Sequence, residues 1–188
     1  MEIDESIALL GAKLDKWFDE SRATFASEDR KEQHHALLGG FALVGELDRL
    51  KADGLAAIRM LLNRSHMSTP TEYAESLVRS FGFAAKLADT LHDELLDTDG
   101  ETKVVNLMNE IVKTLDGIGS GRTALAALLD NPDPRIRAAA GASLIKLMPD
   151  RVIPILREIE DQERGHSSGF NAHWTLLRWE RENKAQNR

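Results

Sequence analysis

The chain has 188 residues, no cysteine and a formal net charge of -7, with 29% charged and 42% hydrophobic residues. Disulfides and thiolate metal sites are excluded, a core can be buried without covalent staples, and general nucleic-acid binding is disfavoured because phosphate contacts demand a basic footprint. No apolar run approaches the ~18 residues a membrane span needs, and the opening Met1-Glu2-Ile3-Asp4-Glu5 is acidic where a signal peptide is basic, so a soluble cytoplasmic protein without membrane contact is expected.

Apolar residues recur at helical rather than alternating spacing, and prolines are few, which predicts an all-α fold without strands. A first helix runs from about Asp4 to Phe25, with Ile7, Leu10, Leu14, Trp17 and Phe18 on one face. A second, from about Asp29 to Lys51, carries Leu37, Phe41, Val44, Leu47 and Leu50, and a short third carries Leu55, Ile58, Leu61 and Leu62. The polar stretch 63–68 follows, and Thr69-Pro70-Thr71-Glu72 has the form of a capping box with proline at the first helical position. A module boundary is placed there: 1–66 is an N-terminal helical module, 67–182 the main helical domain and 183–188 a frayed tail. The helix opened at Pro70 holds Leu77, Phe81, Leu87 and Leu91 and is expected to reach about Leu96. Asp97-Thr98-Asp99-Gly100 reads as a turn, Val104, Leu107, Met108, Ile111, Val112 and Leu115 form the next stripe, and Gly117-Ile118-Gly119-Ser120-Gly121 ends it.

The segment from Leu128 to Leu144 reads as the junction of two helices in a HEAT-type repeat. Asp133 is placed to cap a helix whose first position is Pro134. Ile136, Ala139, Ala140, Ser143, Leu144 and Leu147 then form a small apolar face that lets a neighbouring helix approach closely. Pro149 sits in the first turn of the next helix, whose buried face is Val152, Ile155, Leu156 and Ile159; Pro154 removes one backbone bond, so that helix kinks or starts late. Gly165 to Gly169 reads as a loop, and a last helix from about Asn171 to Glu182 places Trp174, Leu177 and Arg178 on one side. Gly54 to Asn63 and Gly121 to Asp130 share a faint pattern, which suggests a duplication or a fusion of two modules. The expected architecture is a HEAT-like α-helical repeat, with antiparallel helix pairs stacked into a short solenoid.

From about Tyr73 to Glu180 the order of features resembles a small bacterial HEAT-like domain-of-unknown-function family, the one numbered two thousand and nineteen. The matching parts are Leu77-Val78-Arg79-Ser80-Phe81, the acidic turn before Thr102-Lys103-Val104-Val105-Asn106, the junction from Leu128 to Arg137, and the aromatic C-terminal helix. The resemblance implies a helical repeat without known enzymatic activity, in a class that often accompanies toxin genes as immunity proteins. Residues 1–66 lie outside it.

Two Glu-x-x-His pairs, Glu32…His35 and Glu163…His166, raise the alternative of a di-metal carboxylate bundle, which uses two such pairs plus two further Glu. The second pair runs into Gly165, where helical geometry is not guaranteed. Gly117-x-Gly119-Ser120-Gly121 superficially suggests a nucleophile elbow or a phosphate loop, but both need a preceding strand and the latter a lysine. Arg135 and Arg137 flank Ile136 and are expected to pair within the repeat. His173 beside Trp174 fits an aromatic helix closing the stack. Asp89, Asp93, Glu94, Asp97, Asp99 and Glu101 form an acidic run without Lys or Arg, which reads first as a solvated helix end and loop, the sharper reading being a docking surface suited to a basic partner through electrostatic steering. Trp179, half exposed beside Arg178, has the chemistry of an interface anchor.

These observations combine into a non-enzymatic scaffold that binds another protein, as a bacterial immunity-type inhibitor of a toxin or a regulatory adaptor. Asp93, Asp97, Asp99, Arg178 and Trp179 are the candidate partner contacts, and no catalytic, cofactor or metal residue is assigned. A DNA-backbone binder is a second alternative; it requires clustered Lys and Arg, which here are interleaved with acids.

Overall fold

The helical periodicity becomes eight α-helices and one 3-10 turn, with no strand among the described residues. The computed structural model describes residues 3–25, 30–63, 69–93 and 96–186. The chain divides into two compact units, Met1–Ser65 and His66–Arg188.

The first unit is a helix pair, α1 (Ile3–Phe25) and α2 (Arg30–Leu62), packed on each other. Ile7, Leu10, Leu14 and Trp17 on α1 and Leu47, Leu50, Ile58 and Leu61 on α2 are buried. The break expected after Lys51 is absent, and α2 passes unbroken through Ala52-Asp53-Gly54. A helical glycine costs about 1 kcal/mol, but Gly54 is itself buried on the stripe that joins Leu47 and Leu50 to Ile58 and Leu61, and burying those side chains outweighs it. Gly54 to Asn63 is thus the end of a long helix. Its faint counterpart from Gly121 to Asp130 is a short helix followed by a 3-10 turn, so the two segments do not share a structure. The side chains of Phe18, Glu32, His35, Leu37 and Phe41 lie outside the described residues, as does Glu94.

The second unit holds α3 (Pro70–Asp93), α4 (Thr98–Asp116), α5 (Gly121–Ala126), the 3-10 turn Ala127–Asp130, α6 (Pro134–Leu144), α7 (Pro149–Gln162) and α8 (Ser167–Gln186). The capping box forms: the Glu72 N–H donates to Thr69 Oγ1 at 3.2 Å, and the Thr69 hydroxyl donates to the Glu72 carboxylate at 3.0 Å. From this start α3 becomes the hub. Leu77, Phe81, Leu87 and Leu91 are fully buried, and α4, α5, α6 and α8 all pack on it.

Several boundaries differ from the sequence expectation. Helix α3 is described to Asp93; the Leu96 N–H still donates to the His92 carbonyl at 3.3 Å, and Leu96 itself adopts a left-handed φ of 52° that cannot continue a helix, close to the end expected. The anticipated turn at Asp97 to Gly100 is instead the start of α4, with Asp97 as its N-cap. Leu147 is 57% exposed because α6 ends at Leu144 and Ile145 takes the inward position. Helix α7 starts at Pro149 and accommodates Pro154 without a late start. Helix α8 begins at Ser167, earlier than expected, and persists to Gln186, through residues expected to fray. Its buried face is Ala172 and Leu176, while Trp174 is 44% exposed and meets Phe170 and His173 edge to face. Among the described residues, no helix is long and apolar enough to cross a membrane.

Candidate functional site

Helix α4 carries two apolar stripes. Val104, Leu107, Ile111 and Leu115 are buried, whereas Val105, Met108 and Val112 open onto a groove of about 630 Å³. The opposite wall is a stripe of α8 that includes Trp174, Arg178 and Trp179. Small side chains floor it: Ala85 and Ala88 from α3, and Ala138, Ala139 and Ala142 from α6. The predicted small-residue face of α6 thus serves both packing and an open surface.

One end of the groove is polar, with Asp89, Glu101, Arg135 and Ser168. Asp89 and Asp93 lie one turn apart on α3 and hold the start of α8. The Ser167 N–H donates to Asp93 at 3.0 Å and its hydroxyl bonds Asp89, which places two carboxylates at a positive helix terminus. Burial pushes the Asp89 carboxyl up to about 7, with the neighbouring Asp93 adding to the rise and Arg135 opposing it.

Arg135 is committed elsewhere. Its Nε donates to Asp133 Oδ1 at 3.0 Å and its Nη2 to Asp133 Oδ2 at 2.7 Å. Asp133 also caps α6, accepting the Arg135 N–H at 3.0 Å, and lies 3.9 Å from Lys86. Burial works to raise the Asp133 carboxyl, but the bonds from Arg135 prevail and hold it below the usual carboxylate range. Among the described residues Asp89 forms no ion pair. Ser168 is 2% exposed, and among the described residues its hydroxyl has no hydrogen-bond partner. At the other end Lys146 pairs with Glu182 at 2.7 Å.

Of the predicted partner contacts, Arg178 and Trp179 line this groove and the three aspartates do not. Asp93 caps α8, Asp97 caps α4 by accepting the Gly100 N–H at 2.9 Å, and Asp99 is exposed and pairs with Lys103 at 3.1 Å. A Cβ on Gly100 would meet the Asp97 carboxylate, which would have to shift out of its capping position. Glu101 joins His92 Nδ1 at 2.9 Å, and that bond is the main cause raising the His92 pKa. The acidic run is therefore largely a set of helix-end devices. Sequence reasoning noted Asp89 only as a member of that run, although it falls four residues after Ala85 on a small apolar stripe. Ser168 reads as loop from sequence, and Met108 and Val112 read as members of one stripe with Val104, Leu107, Ile111 and Leu115, whereas they turn to the groove with Val105.

Arg137 bonds Glu158 at 3.1 Å and ties α6 to α7, so both junction arginines act within the unit. A second concavity gathers His92, His166 and His173 with Asp93 and Glu160; His173 Nδ1 lies 2.7 Å from Glu160. Among the described residues, no cluster of three or more His, Asp or Glu is disposed to hold a metal. Glu163 is the C-cap of α7 and Gly165 takes a φ of 93°, so Glu163 and His166 do not share a helix face, and His166 sits 3.9 Å from Asp93. The glycine run at Gly117 to Gly121 links α4 to α5, and no strand precedes it. Gly121 packs against the Leu115 carbonyl too closely for any Cβ. Compared with protein-family models, curated proteins and solved structures, the chain gives no match.

Proposed function

We propose that the second unit is a non-enzymatic, HEAT-like binding module whose groove receives an amphipathic helix of a protein partner. The observation that carries this reading is the second apolar stripe of α4 facing Trp174 across a floor of alanines. Val105 is 39% exposed and Trp174 44%, so both offer apolar area that the core does not use. The α8 stripe from Ser168 to Glu182 extends about 20 Å, long enough for roughly four turns of a bound helix. A long concavity with an apolar stripe on α4, a mixed wall of Trp174, Trp179, Asn171, Thr175 and Arg178 on α8, and polar ends suits helix-in-groove recognition. An immunity-type inhibitor or adaptor would work by occluding its partner's site.

Basic side chains of this unit are widely neutralised by acids: Arg122 by Asp116, Arg137 by Glu158, Arg151 by Asp130 and Lys103 by Asp99. That pairing weakens the DNA-backbone alternative, which needs uncompensated cations.

The test is fluorescence anisotropy with labelled synthetic Leu/Ala/Glu helices of about 14 residues. Saturable binding by the full chain, abolished by Val105→Glu with the fold intact by circular dichroism, is the expected result. Binding that is absent, or indifferent to that substitution, rejects the groove.

A further inference from the structure

We infer that the polar end of the groove recognises a lysine: the Asp89 carboxylate and the Ser168 hydroxyl take the ammonium of a lysine on the inserted face of the bound helix. This rests on the groove reading and adds the chemistry of its occupant.

Three independent observations converge. The first is that Asp89 stands half-buried in the lining without an ion pair among the described residues, its nearby guanidinium, Arg135, being forked onto Asp133. The second is the buried, unpartnered Ser168 hydroxyl in the same lining. Leaving such a group unsatisfied is costly, and a ligand N–H would remove that penalty. The third is the local charge balance. Among the described residues Asp89, Asp93, Glu101 and Asp133 are met by the two permanent cations Arg135 and Lys86 and by the imidazoles of His92 and His166, so carboxylates are in excess and this end attracts a cation and repels a carboxylate.

An ammonium suits the place better than a guanidinium. One carboxylate and one hydroxyl offer a compact set of acceptors rather than the flat double face that an arginine fork needs. The alanine floor gives the methylene stem of a lysine an apolar track leading to Asp89. Binding a cation favours ionised Asp89, so below about pH 7, where the free carboxyl holds its proton, affinity rises about tenfold per pH unit and levels off above it.

The experiment is a lysine walk. A parent helix with norleucine on its apolar face is compared with peptides in which lysine replaces each apolar-face position in turn, all titrated by anisotropy against the full chain. One position is expected to bind at least tenfold more tightly than the parent. Asp89→Asn should erase that advantage and Ser168→Ala reduce it, the advantage being the ratio of lysine-peptide to parent affinity measured on the same variant. No favoured lysine position, or an advantage that survives Asp89→Asn, overturns the inference and leaves the groove standing. A parent helix that does not bind the wild type overturns the groove and this inference together.

Discussion

Asp89 and Asp133 are two carboxylates drawn into the same unit, and their surroundings move them in opposite directions. Folded Asp89 keeps its proton to about pH 7, whereas an unfolded aspartate releases it near 3.8. The folded state thus binds more protons across that interval, and stability declines as pH rises through it. Asp89→Asn carries no charge at any pH. It should raise the melting temperature at pH 8, by an amount equivalent to at most roughly 2–4 kcal/mol, and leave stability at pH 4 nearly unchanged; a lower melting temperature at pH 8 would refute this. Asp133 has the opposite sign: its folded pKa lies below 3.8, so its contribution is present above that value and lost as pH falls through the folded one. Asp133→Ala removes the α6 cap and the Arg135 fork, an expected loss of about 1–2 kcal/mol in urea unfolding at pH 7. Leu96 presents a third case. Its left-handed φ is costly for a branched side chain that is itself 78% exposed, and Leu96→Gly should stabilise the protein by about 1 kcal/mol, read as a higher urea midpoint.

At the level of elements, the sequence was informative wherever a local rule operates alone. The capping box at Thr69, the Asp133-Pro134 start of α6 and the stripes Val104, Leu107, Ile111, Leu115 and Val152, Leu156, Ile159 follow from short-range geometry and form, while Met108, Val112 and Ile155, read on the same faces, are only partly buried. Misreadings arose where a distant contact decides. Gly54 does not end α2 because long-range packing on α1 holds it, and Ser167 opens α8 early because Asp93, far away in sequence, supplies the cap. The corner between α7 and α8 is equally tight. Gly169 lies against the backbone of Glu163, where a Cβ would collide with its carbonyl. Gly169→Ala must push that corner apart and should cost about 1–3 kcal/mol, to be measured by thermal unfolding.

Across the whole molecule, the groove was illegible beforehand because it belongs to no element. Val105 and Trp174 become a shared surface only once α4 and α8 flank α3 and α6, and spacing within one helix cannot report which helices become neighbours. The second unit buries its own core around α3, so a fragment of residues 66–188 should unfold in one cooperative transition with near-native helicity, as circular dichroism in urea would show. Its helices are not equally anchored: α8 rests on α7, α6 and α3, whereas α4 leans mainly on α3 with a smaller contact to α5. Hydrogen exchange should therefore be faster along α4 than along α3, since a helix with fewer packed neighbours opens at lower free energy. A helix lodged in the groove gives α4 a further neighbour, and slowed exchange of its amides becomes the protein's own record of occupancy.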